Sequence, residues 1–191
     1  MKKTFLIAAI AALSACNSGT EKKDESTSST NADSTRKEEV VYAYPVQYTN
    51  MEMGDAKHGQ TVLNIWKAWD SGDLSGMKNS FADSVEFHFW DGTSMKGSRD
   101  SALSSIQLFR SSFSSVTSSV LAVMSIKTTN KNSNQIEDLV LVWGKEVSTS
   151  KKGKTDSIWL HEVWRVNKDG KADFANQFAE FFPKTPTPKS K

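Results

Sequence analysis

DSGDLSGM at residues 70–77, followed by FAD at residues 81–83, is the junction on which the fold turns. Gly72 accepts the left-handed conformation that closes a helix at its C′ position, so a helix ends there. Asp73 can cap a second, short helix carrying Leu74, Met77 and Phe81. Two helices in tandem therefore lead directly into whatever follows residue 83.

Upstream, Asp55 can cap the helix that Gly72 closes. Its apolar positions Val62, Ile65, Trp66 and Trp69 follow the i, i+3, i+4, i+7 rule of a helix with one buried stripe. Downstream, residues 85–90 read as a strand, Asp91-Gly92 as a turn, and residues 93–96 as the returning partner. Ser98 caps a third helix with Ala102, Ile106, Phe109 and Phe113 on one face. From Val116 onward the period changes to two, and residues 116–128, 136–148, 157–166 and 172–182 read as four strands joined by hairpins. Helices ahead of an antiparallel meander predict an α+β domain in which a curved sheet wraps around helices.

The alternation also sorts candidate residues. Val85, Phe87 and Phe89 share one face of the first strand. Ile158, Leu160, Glu162, Trp164 and Val166 share a face of the third meander strand, and Glu162 is the single charge in that row. A carboxylate buried without partners is costly and its pKa rises. Glu162 is thus either an acid pointing into a pocket, an edge glutamate reaching solvent, or half of an ion pair with a residue such as Arg110. Gln177 lies between Ala175 and Ala179 on one face of the last strand, where small neighbours leave room for a ligand or for close helix packing. Phe174, Phe178 and Phe182 occupy the opposite face, and an exposed aromatic row needs a partner. Trp143 and Trp159 alternate with polar neighbours and are expected on the outer surface. Trp66 and Trp69 serve as packing or as pocket wall.

Outside residues 50–183 the composition changes. MKKTFLIAAIAALSAC opens the chain: two lysines, an apolar run over residues 5–13, then small residues ending at Cys16. The run is too short for a permanent membrane span and reads as a secretory signal over residues 1–15. Leu13-Ser-Ala-Cys16 resembles the lipobox of bacterial lipoproteins, which implies lipidation of Cys16 and anchorage in the cell envelope, periplasmic or surface-exposed. Cys16 is the only cysteine, so no disulfide can form within one chain. Residues 16–49 read as the lipidated cysteine and a disordered tether, since residues 17–39 carry no large apolar side chain; residues 184–191 read as a loose tail. Loss of Lys2 and Lys3 reduces the 24 Lys+Arg to 22, equal to the 22 Asp+Glu. A neutral domain without a basic stripe is not a nucleic-acid binder, because such affinity comes mainly from neutralising phosphates. The three histidines, His58, His88 and His161, sit in separate elements without metal-ligand spacing. No metal or cofactor is expected, and there is no phosphate loop or nucleophile-elbow motif.

The element order resembles the nuclear transport factor 2-like superfamily, within it the SnoaL-like and ketosteroid-isomerase-like branch, over about residues 57–182. The strings that carry this resemblance are DSGDLSGM with FAD, and VWRVNKDGK at residues 163–171. It implies a cystatin-like cone: three N-terminal helices packed on a strongly curved antiparallel sheet, with a pocket at the wide end for a small, largely apolar molecule. The pocket residues so implied are Ile65, Trp66, Trp69, Phe89, Glu162, Trp164 and Gln177. The isomerases of this branch use a tyrosine, a carboxylate base and a second acid. Carried over, the tyrosine position falls on Ile65, the base on Phe89 and the second acid on Glu162. Neither Ile65 nor Phe89 can move a proton, and no tyrosine follows Tyr48. The resemblance thus favours a non-catalytic module, binding a small molecule or a partner and dimeric through the outer sheet face. The alternative is a SnoaL-like lyase, isomerase or cyclase using Glu162 as acid–base group and Gln177 as orienter. A third reading is an interaction protein whose pocket is filled by its own tryptophans.

Overall fold

A computed structural model describes residues 41–181. Cys16 with the signal and most of the tether, Phe182 and the tail lie outside the described residues. Elements run in the order β1 (Tyr48–Met53), α1 (Ala56–Ser71), α2 (Ser75–Ser80), β2 (Phe81–His88), β3 (Ser94–Ser98), α3 (Arg99–Arg110), β4 (Phe113–Asn130), β5 (Gln135–Ser150), β6 (Thr155–Val166) and β7 (Ala172–Phe181). The seven strands form one sheet in the order β1-β4-β5-β6-β7-β2-β3. This is the α+β cone, with α1 laid against the inner faces of β4 and β5.

The caps explain where α1 starts and stops. Asp55 accepts from the Lys57 N–H at 2.8 Å. Gly72 takes φ 76°, and its N–H closes the helix onto Ala68 O and Trp69 O. No basic residue stands in the last turn of α1. That role passes to Arg110, buried at the end of α3, whose guanidinium donates to Trp69 O at 2.7 Å, Asp70 O at 3.0 Å and Phe113 O at 3.3 Å. Spent on orphan carbonyls, Arg110 is not the ion partner of Glu162 that the sequence allowed.

Four expectations need correction. The sheet begins at Tyr48, inside the span read as tether, because β1 pairs antiparallel with the far end of β4. One pair, β2 with β7, is parallel in an otherwise antiparallel sheet, since the first core strand lies beside the last and runs the same way. Asp73 receives the Ser75 N–H, but α2 has Leu74 at its N-cap position and Phe81 already belongs to β2. Phe109 is largely exposed and Phe113 opens β4, so the buried side of α3 is Ala102 and Arg110 with Leu103 and Ile106 half-buried. Phe109 still stacks on Trp69, with centroids 6.0 Å apart.

The core lies where α1 meets the sheet. Val62, Ile65 and Trp66 of α1 meet Val140 and Val142 of β5, Leu160 and Trp164 of β6, and Phe81 and Phe87 of β2. Fully burying side chains of this size stabilises by roughly 1.5–3 kcal/mol each. No helix among the described residues is long and apolar enough to cross a membrane.

Candidate functional site

Register fixes what faces inward. Glu162 pairs with Val142 on one side and Gln177 on the other, and Trp164 with Val140 and Ala175. The inner row of β5 is Val140, Val142, Gly144 and Glu146, because side chains two apart share a face. Gly144 is essential in that row. A Cβ built on it would lie 2.8 Å from Trp66 Cζ3 and 2.8 Å from Ser119 O. The missing side chain lets the Trp66 indole cross the sheet surface toward Glu162.

At Glu162 both carboxylate oxygens are engaged. Oε2 accepts from Trp66 Nε1 at 2.6 Å and Trp164 Nε1 at 2.8 Å, while Oε1 accepts from Gln177 Nε2 at 2.7 Å. The residue is 4% exposed. Burial pushes its carboxyl above the usual glutamate range, and the three hydrogen bonds offset only part of that rise. Both indoles can only donate, so Oε2 is closed to a proton. Protonation falls on Oε1, with the Gln177 amide rotating to present its oxygen.

A second indole–carboxylate couple lies one turn further along α1. Trp69 Nε1 donates to Glu146 Oε2 at 2.8 Å. Burial also pushes Glu146 up; Asp70 and Glu162 add to the rise, against the Trp69 hydrogen bond and the Arg110 charge. Asp70 is itself tied down, accepting from the Ser118 N–H at 2.9 Å and the Ser118 hydroxyl at 2.7 Å.

The residues singled out by sequence separate into two groups. Ile65, Trp66, Glu162 and Trp164 are buried core. Trp69, Phe89 and Gln177 are partly exposed and border them. Phe89 lies just past the end of β2, its N–H bonded to Thr93 O, and its ring stacks on Phe87 at 6.2 Å. Phe87 in turn meets Trp164 edge-on at 5.7 Å, so an aromatic chain runs from Phe89 to the indole that holds Glu162. Half-buried Ile106, Ile158 and Ala179 also pack against the core. Glu146 was missed from the sequence. Its signal was weaker than that of Glu162, because Asp138 and Glu146 both flank the same apolar period-two row of β5.

A cavity of about 220 Å³ opens elsewhere, between β1, β4 and the first half of α1, lined by Met53, Leu63, Val123 and Met124 among others. None of the seven expected pocket residues lines it. No group of three His, Cys, Asp or Glu side chains among the described residues is placed to hold a metal.

Solved structures share this architecture. An LEH-like epoxide hydrolase from M. tuberculosis superposes with a TM-score of 0.53 at 10% identity, over 65% of this chain and 84% of its own. A SnoaL-like protein from Jannaschia sp. CCS1 gives 0.52 at 12% identity, over 66% and 87%. An NTF2-like protein of unknown function from Burkholderia pseudomallei K96243 gives 0.51 at 16% identity, over 67% and 92%. The domain has the nuclear transport factor 2-like, SnoaL-like fold. No protein-family model matches the chain, and neither does any curated protein.

Proposed function

We propose that this chain is a lipid-anchored envelope protein whose SnoaL-like domain binds a small apolar or amphipathic molecule at the wide end of the cone without transforming it. The observation that carries this reading is the saturation of Glu162. An acid–base group must reach the proton it moves. This carboxylate accepts three hydrogen bonds from its own protein and is 4% exposed. What a solute can touch is the partly exposed rim of Trp69, Phe89, Ile106, Ile158, Gln177 and Ala179. Such a surface binds by burial of apolar area. The test is titration with the neutral fluorescent probe N-phenyl-1-naphthylamine. Saturable binding that Ala179→Trp abolishes is expected; binding unaffected by that substitution would overturn the placement.

One observation favours the enzyme alternative: Glu162 is held above the usual carboxylate range while its partner Gln177 stays partly exposed. Since one structural neighbour is named an epoxide hydrolase, styrene oxide hydrolysis is the discriminating assay. Turnover by the natural chain, lost in Glu162→Gln with probe binding intact, would replace the binder with the enzyme.

Two further parts of the proposal rest on other regions. Lipidation of Cys16 supplies the membrane attachment, and Cys16→Ala releases the protein from membrane fractions; retention there would refute the anchor. The outer sheet face supports a homodimer. Trp143 stacks on His161 at 4.7 Å, His161 meets Phe178 at 5.9 Å, and Phe178 is 50% exposed. Phe178→Lys is expected to give a monomer by light scattering, and an unchanged mass would exclude this face.

A further inference from the structure

Glu146 differs from Glu162 in one respect that bears on ligand chemistry. Its Oε2 is fixed by the Trp69 indole at 2.8 Å, whereas its Oε1 has no hydrogen-bond partner among the described residues. The side chain stands on the inner face of β5, opposite Ile158 of β6 and Ser118 of β4. It is only partly buried, unlike Glu162. Apolar groups flank Glu146, Trp69 with its stacked Phe109 and Ile158 across the ladder, beside the polar Ser118 and Asp70. Arg110, the cation whose charge reaches it, has its guanidinium committed to three backbone carbonyls and lies over the Trp69 ring at 5.8 Å from its centroid. Asp70 is committed to Ser118. Hence one carboxylate oxygen, on a side chain oriented by an indole and paired with no cation among the described residues, stands beside apolar groups.

We propose that Glu146 is the polar anchor of the wide-end site and that it selects apolar molecules bearing an amine. A cationic N–H donor completes the hydrogen bonding of Oε1 and brings a positive charge into direct contact with it, which Arg110 does not. Its apolar body lies against Trp69 and Ile158. A charge-assisted hydrogen bond is shorter and roughly twice as strong as a neutral one, so an amine is preferred over an alcohol of the same shape. A carboxylic acid of that shape is rejected by like charge.

This inference rests on the binding function proposed above, and its test separates the two. The full chain is titrated by calorimetry at pH 7 with 2-phenylethylamine, 2-phenylethanol and phenylacetate. The expected result is an amine bound about tenfold more tightly than the alcohol, with the acid weakest. In Glu146→Gln, which keeps the bond from Trp69, the alcohol binds as before and the preference for the amine falls to about twofold or less. Alcohol and amine bound equally by the natural chain would overturn the amine anchor and leave the binding site standing. A preference that survives Glu146→Gln would assign it to another group. Absence of binding by all three, together with no response to the naphthylamine probe, would overturn both. Far-UV circular dichroism of Glu146→Gln, expected to match the natural chain, ties any loss to the carboxylate rather than to the fold.

Discussion

Trp66 and Trp69 stand three residues apart on α1, and each gives its indole N–H to a glutamate of the sheet, yet the two couples do different work. Around Glu162 there are three donors, a packed core and almost no exposure. Around Glu146 there is one donor, a partly exposed wall and an oxygen without a partner among the described residues. The same pair of residue types therefore makes an internal strut at one turn of the helix and a candidate recognition group at the next. The number of donors and the access of water make the difference. A buried carboxylate is tolerable when donors surround it. One with spare capacity at a surface can meet a solute.

Removing the Glu162 carboxylate should have the larger consequence. Glu162→Leu leaves Trp66, Trp164 and Gln177 with unsatisfied donors, each costing about 1–3 kcal/mol, so a loss of roughly 3–5 kcal/mol in urea denaturation is expected. Glu146→Leu orphans one partly exposed indole and should cost about 1 kcal/mol. Equal losses would erase the distinction between strut and anchor. Next in size is Gly144→Ala, which pushes the Trp66 ring away from Glu162 without touching Trp69. An overpacking cost of about 1–3 kcal/mol is expected, again read by denaturation. A neutral outcome would show that Trp66 has slack and that its hydrogen bond is not what orders the core.

The smallest effect is in the pH dependence, and it sharpens the comparison. Both carboxyls are pushed up in the folded chain, chiefly by burial. The folded state therefore binds protons at a pH where the unfolded chain has released them. The stability this contributes is complete below the ordinary glutamate range and is lost as pH rises through the raised folded values. Thermal midpoints should accordingly increase as pH falls from neutral toward about 4.5. Further acidification acts in the opposite direction through Asp73, Glu86 and Asp91, whose carboxyls are held below their usual range by hydrogen bonds from Ser75, Lys96 and Thr93 respectively. Glu162→Gln should flatten the rise more than Glu146→Gln, because the first carboxyl is the more deeply desolvated. A slope unchanged in Glu162→Gln would place the titrating group elsewhere.

Much of the architecture was legible in local chemistry. Asp55 and Gly72 bracket α1 because caps depend on one residue and its immediate neighbours. The period-two rows of β5, β6 and β7 were readable because alternation is a property of any strand. Glu162 stood out as the one charge in its row. What eluded the sequence was non-local. β1, which straddles the expected boundary between tether and domain, was not read as a strand because its partner at the end of β4 lies about 80 residues away, as Tyr48 opposite Asn130 illustrates. The parallel pairing of β2 with β7 joins residues equally distant. Glu146 closes a row just as Glu162 interrupts one, but only the arrival of Trp69 from α1 gives it meaning.

By itself the amino-acid order determined the helices, the hairpins and the inward faces, since all of these follow from short-range sterics and side-chain type. Tertiary structure alone decided that Glu162 is occupied and Glu146 is open, and that Arg110 serves helix carbonyls instead of an acid. Those outcomes depend on which distant donors converge on a given oxygen, and on how much water the packed cone leaves beside it.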